Sequence, residues 1–194
     1  MKKITWEVEY CSLPLVTRHC KKCGKKVKFS CSKKFRVNAQ GKTLDVWLIY
    51  NCLDCDTTWN AKLYTHISPQ SFSSAQLSGF QENAPSLVEK YAMDHGFLYR
   101  SGVDGIEIPQ YSIMGDTFSS KDDVELEIKS QYPFPLKVSS LVREKLHLSQ
   151  HAYLHLVEGG NIRSIPEQDL RKCKLKNSIT LIFSQNNTAS GDEA

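Results

Sequence analysis

"CKKCGKKVKF", residues 20–29, and "NCLDCDTTWN", residues 51–60, decide how this chain is read. Each carries two cysteines in a C-x-x-C spacing. A tight turn of that length lets two sulfurs converge on one ion, and two such turns complete the four-thiolate tetrahedron that zinc accepts. Gly24 directly follows the first pair, where a turn calls for positive φ. The expected ligands are therefore Cys20, Cys23, Cys52 and Cys55. Four protein ligands leave no position for water or substrate, so the expected zinc is structural. Cys31, between the pairs, is an alternative ligand. It reads otherwise, like Cys11 and Cys173, as a buried or half-buried thiol. An iron centre and a regulatory zinc are narrower alternatives. A thioredoxin-like pair is disfavoured, because no βαβ pattern follows either motif.

The sequence between and after the pairs alternates as antiparallel strands do. "VKFSCSKKFRV" and "LDVWLIYNC" flank a turn at "NAQGK", residues 38–42. In the second strand Val46, Leu48 and Tyr50 point one way, Trp47 and Ile49 the other. "TWNAKLYTHI" sets Trp59, Ala61 and Leu63 against Asn60, Lys62 and Tyr64. The expectation is a zinc ribbon with the metal fixing its hairpin ends. Four thiolates on a dication leave about two net negative charges. Lys21, Lys22, Lys25 and Lys26 offset part of that as a solvated face, or contact phosphate.

The chain has 194 residues, 40% hydrophobic and 24% charged, which suits a protein with a buried core. The opening "MKKITWEVEY" has no apolar run behind its lysines, so a signal peptide is not expected. No stretch approaches the roughly 20 apolar residues of a membrane helix. A cytoplasmic location is expected, where seven cysteines mean metal or free thiols rather than disulfides. Net charge is +4 but polarised. Residues 1–42 hold twelve Lys/Arg against two Glu, and residues 81–127 hold three basic side chains against ten acidic ones. A basic N-terminal face attracts a polyanion and the acidic middle repels it.

Residues 68–100 read as two helices. The first has Ser68 as N-cap, Pro69 at its start and Gly79 as its stop; the second begins near Asn83 and ends at Gly96. "DVELEIKSQY" reads as a half-exposed strand. In "PLKVSSLVREKLHLSQHAYLHLVEGGNIRS", Ser139 or Ser140 caps one helix and Ser149 caps the next. Gly159–Gly160 closes the second helix, Ile162 opens a strand, and "LKNSITLIF" supplies a returning one. His151 and His155 share a helix face but have no third ligand at a fitting spacing, and read as surface residues. The end, "NNTASGDEA", reads as a disordered tail.

This helix–helix–hairpin unit resembles the α-L RNA-binding motif through Lys137-Val138, Leu146-His147-Leu148-Ser149, Leu156-Val157 and Gly160-Asn161-Ile162. The motif's second-helix arginines are replaced here by Gln150, Leu154 and Glu158, which leaves Lys137, Arg143, Lys145 and Arg163. The whole chain resembles a bacterial family known only as domain of unknown function 1062. That resemblance rests on Trp6, the C-x-x-C at 20–23, "KFRVNAQGKTLDVWLIYNCLDCDTTWN" at 34–60 and the Leu-x-Leu-Ser tail. It implies zinc at the four cysteines and carries no activity.

The expected fold is α+β in three parts. Residues 1–67 form a zinc ribbon, 68–132 a helical and β linking region, and 133–194 an α-L-like module. There is no Ser–His–acid signature, phosphate loop or open metal site, so an enzyme is not expected. RNA is the expected partner, with Lys21, Lys22, Lys25, Lys26, Arg36, Lys137, Arg143 and Arg163 as its contacts. The alternative is a protein-interaction adaptor that uses the ribbon as a scaffold.

Overall fold

A computed structural model describes residues 1–185. The tail at 186–194 lies outside the described residues. The architecture is α+β, with two five-stranded sheets and five α-helices among the described residues. By contacts the chain forms two compact units, one of Cys11–Gln110 and one of Met1–Tyr10 with the chain from Tyr111 onward. The segments drawn from the sequence, 1–67, 68–132 and 133–194, cut across these units.

The strands are β1 (Lys2–Tyr10), β2 (Val16–Cys20), β3 (Lys25–Gln40), β4 (Thr43–Cys52), β5 (Thr58–Ile67), β6 (Gly105–Ile106), β7 (Tyr111–Met114), β8 (Val124–Ser130), β9 (Ile162–Ile165) and β10 (Ser178–Phe183). The helices are α1 (Ser74–Glu82), α2 (Pro85–Ala92), α3 (His95–Arg100), α4 (Val138–Lys145) and α5 (Gln150–Glu158).

In the unit of residues 11–110 the sheet runs β5-β4-β3-β2-β6, antiparallel throughout. The period-2 pattern sends Phe29, Phe35, Val46, Leu48, Tyr50 and Ala61 to one face. There they pack with Phe80, Val88, Tyr91 and Leu98 of the helices. The alternation expected of β5 breaks near its end. A register shift between Val46 and Trp47 puts Tyr64 opposite Val46, and its hydroxyl meets that of Tyr91 at 2.9 Å. Tyr64 therefore joins the core side rather than the face of Lys62.

The helix boundaries also differ from expectation. Ser68 and Pro69 start only a 3₁₀ turn, Pro69–Ser71, and Ser73 caps α1 by accepting from the Gln76 N–H. Gly79 does not stop α1; a side chain there would collide with Leu87, so the glycine permits close packing. The stop is Asn83, which takes the left-handed conformation and whose Oδ1 accepts from the Phe35 N–H at 2.6 Å. Gly96 lies inside α3, which Asp94 caps by accepting from the Phe97 N–H.

In the other unit the sheet runs β7-β1-β8-β10-β9, and β1 pairs with β8 in parallel. Trp6, Ile128 and Ile179 form one row, and Ile4, Leu126 and Leu181 the next. Trp6 is fully buried and donates from its indole N–H to the Asp116 carbonyl at 2.8 Å. Gly115 beside it has φ +112°, and a Cβ there would run into the Thr5 carbonyl. Val124, Leu126 and Ile128 are buried, as the strand reading of β8 expects. Ser149 caps α5 by accepting from the Ala152 N–H. Neither Ser139 nor Ser140 caps α4: it begins at Val138 after Lys137, which is bridged to Lys174 and whose ammonium, a donor only, cannot cap the free N–H groups.

Candidate metal centre

The two C-x-x-C turns are built alike. In the first, the Gly24 N–H bonds back to the Cys20 carbonyl at 2.9 Å, and Gly24 has φ +68°. In the second, the Asp56 N–H bonds back to the Cys52 carbonyl at 3.0 Å, and Asp56 has φ +58°. Cys20 ends β2 and Cys52 ends β4, and both strands pair with β3, so its register sets the two turns side by side. The Leu53 N–H bonds the Lys28 carbonyl at 3.0 Å and closes the junction.

All four sulfurs lie within 4.8 Å of one another. Cys20 Sγ is 3.7 Å from Cys55 Sγ, and Cys23 Sγ is 3.8 Å from Cys52 Sγ. A tetrahedral ion with metal–sulfur bonds of about 2.3 Å has sulfur–sulfur edges of about 3.8 Å. The donor set and its spacing therefore fit one thiolate-bound ion. Cys20 and Cys52 are buried, Cys23 and Cys55 half-buried. Among the described residues this is the one such grouping of histidine, cysteine or carboxylate ligands, and neither Cys31 nor the pair His151 and His155 belongs to it. Cys31 lies opposite Tyr50, and Cys11 is exposed rather than buried.

The thiols are not equivalent. The Cys55 thiol lies 3.2 Å from Thr57 Oγ1. That hydroxyl and the Thr57 N–H hold Cys55 down to about 6. Hydrogen bonding to Cys55 and burial push Cys23 up to about 12, and burial raises Cys52. Ion binding replaces these protons, so uptake releases them.

A residue that the sequence reading missed is Arg18. Its guanidinium carbon sits 3.9 Å above the Trp59 ring, and 5.7 Å from that of Phe29. Burial pushes Arg18 below its ordinary range, while the Cys20 sulfur and Asp104 act in the opposite direction. An arginine stays charged there, and so supplies a positive group beside the thiolates. The signal in the sequence was alternation: "VTRHC" places Arg18 at the same parity as buried Val16 and Cys20.

The sequence-derived basic residues are dispersed. Lys21 and Lys22 are exposed on the first turn. Lys25 pairs with Asp54 at 3.2 Å, Lys26 with Asp104 at 3.2 Å, and Lys28 with Glu107 at 2.7 Å. Arg36 lies 5.8 Å from the Trp47 ring. In the other unit Lys137 precedes α4, Arg143 donates to Gln150 Oε1 at 2.6 Å, and Arg163 is exposed on β9. Lys145 donates to the Ile113 carbonyl at 2.6 Å. Among the described residues no helix is long and apolar enough to cross a membrane.

A family described as "Protein of unknown function (DUF1062)" matches residues 37–168. That span includes Cys52 and Cys55, while Cys20 and Cys23 precede it. No curated protein and no solved structure matches the chain.

Proposed function

The chain belongs to the DUF1062 family, and from its own geometry we propose a non-catalytic cytoplasmic binding protein, scaffolded by structural zinc, whose partner is RNA. The convergence of four sulfurs at tetrahedral spacing carries the zinc reading. With four protein ligands the ion has no open position, so its role is to pin two turns together. The cysteine-bearing segment is in this reading a zinc ribbon extended by two further strands. The pair α4–α5 with β9 and β10 is its α-L-like partner module.

Charge supports RNA as the partner. Residues 11–110 hold thirteen Lys/Arg against eight Asp/Glu, whereas the rest of the chain holds twelve against thirteen. A polyanion is attracted to the first unit, and its counterions are released on binding. Metal analysis of the purified protein is expected to find one zinc per chain. RNA affinity is expected to fall steeply with salt, and to fall further in a Lys21→Glu/Lys22→Glu variant. Absence of RNA binding at low salt overturns the RNA reading.

The pairing of Lys25, Lys26 and Lys28 with carboxylates favours a second reading, a protein-interaction adaptor. Gln150, Leu154 and Glu158 on α5 point the same way, since they offer phosphate little. Capture of one protein, unaffected by nuclease, supports this reading.

A further inference from the structure

The core uses one face of the β2–β5 sheet. Register defines the other. Arg36, Trp47 and Lys62 stand opposite one another on β3, β4 and β5. The next row across β4 and β5 is Ile49 with Asn60, and beyond it come Ser30, Asn51 and Thr58. Trp47, Ile49 and Asn51 are half-buried, while Arg36, Asn60 and Lys62 are exposed. This face thus has an indole at its centre, a cation on each side of it, and amides in the rows that follow.

Its charge is one-sided. Asp45 is the carboxylate of β2–β5 at this parity; it is buried at the far end, where it accepts from the His66 N–H at 2.7 Å. Asp104 and Glu107 neutralise Lys26 and Lys28 toward the β2 edge, which leaves the row through Trp47 as the positive part. Guanidinium and ammonium groups bind phosphate, an accessible aromatic ring stacks on a base, and amides bond base edges. A duplex keeps its bases stacked and paired, so its bases are not available to an indole on an open sheet.

We propose that the face centred on Trp47 is a platform for single-stranded RNA. One base stacks on the indole, Arg36 and Lys62 hold the flanking phosphates, and Asn51 and Asn60 bond base edges. The platform rests on the RNA reading and goes beyond it, because the sequence-derived contacts include Arg36 of this face but not Trp47, Asn51, Asn60 or Lys62.

The test uses the full zinc-loaded chain with a fluorescein-labelled oligouridine and an RNA duplex of equal length. The expected result is preference for the single strand, and a roughly tenfold loss for Trp47→Ala. Trp47→Phe is expected to recover most of that loss. Arg36→Ala/Lys62→Ala is expected to flatten the salt dependence. Zinc content and melting of each variant establish that the fold is retained, and Trp47→Gln, which keeps bulk at the position without a ring and is expected to lose as much as Trp47→Ala, keeps the test decisive should Trp47→Ala unfold. Wild-type binding that Trp47→Ala or, where that variant unfolds, Trp47→Gln leaves unchanged, or equal affinity for duplex, overturns the platform while RNA binding itself stands. Failure of the wild type to bind either RNA overturns both. A partner protein lost on Trp47→Ala, with RNA affinity intact, assigns the face to protein docking and also overturns the platform.

Discussion

The two sheets are equal in strand number but differ in what ties their strands together. The sheet of residues 11–110 takes β2 to β5 in chain order, and the turns at the ends of β2 and β4 are polar. The apolar residue offered by those turns is Leu53, and it is 51% exposed. The other sheet joins β1 to β8, far along the chain, and buries Trp6, Leu126, Ile128 and Leu181 almost completely. One unit closes its sheet with buried apolar rows. The other has an apolar core under its middle strands, and at its C-x-x-C end it has sulfur instead. An ion held by the four sulfurs would do at that end what Trp6 does in the other unit.

The sharpest way to break this comparison is to remove the metal. Structural thiolate zinc sites bind with an apparent free energy on the order of 10 kcal/mol, comparable to the whole stability margin of a domain. Chelation, or Cys52→Ser, is expected to strip amide protection from residues 16–31 and 49–60 first. Protection in β1, β8 and β10 is expected to persist. Hydrogen exchange with and without chelator reads this directly. Loss of both units together refutes the division of labour, and so does loss of neither.

Next in size is the reciprocal change. Trp6→Ala opens a cavity in a fully buried row and is expected to cost about 3–5 kcal/mol. That loss is expected to appear in a denaturant titration of the unit containing β1, while bound zinc stays at one per chain.

How far each region was legible follows the same divide. The cysteine tetrad was readable because a C-x-x-C turn is local, and its two copies announce each other. The strands β3, β4 and β5 were readable because Val46, Leu48 and Tyr50 alternate with Trp47 and Ile49. Tyr64 was misassigned because a bulge shifts parity without leaving a mark in composition. The partner of β1 was invisible: "KITWEVEY" alternates as a strand should, but alternation names no neighbour, least of all a parallel one more than a hundred residues away. Gly79 and Asn83 were misjudged for a related reason. A glycine stops a helix by default, yet here it makes room for Leu87, and the stop falls to the asparagine that also binds Phe35.

Two smaller changes sharpen what the metal end requires. Thr57→Val removes a hydroxyl that steadies the Cys55 sulfur, so that thiol rises from about 6 toward its ordinary range. Protons then compete with the ion over a wider pH range. Zinc affinity is expected to fall roughly tenfold near pH 6 and less near pH 8, where less proton competition is added. A chelator competition at the two pH values checks this, and an equal loss at both would point to packing instead.

The least effect is expected at Asp56, and it tests whether the two turns are true counterparts. Gly24 and Asp56 both follow a second cysteine, both have left-handed backbone, and both send their N–H back to the first cysteine's carbonyl. A side chain in that conformation costs roughly 1–2 kcal/mol, less for aspartate, and glycine avoids the cost but gives up more entropy on folding. Asp56→Gly is therefore expected to stabilise the zinc-loaded protein by under about 1 kcal/mol. Gly24→Ala is expected to destabilise it by about 1 kcal/mol or slightly more. Opposite signs at equivalent positions mean that backbone conformation governs both turns. A loss at both means that the Asp56 carboxylate has a part in the second turn that Gly24 cannot have in the first.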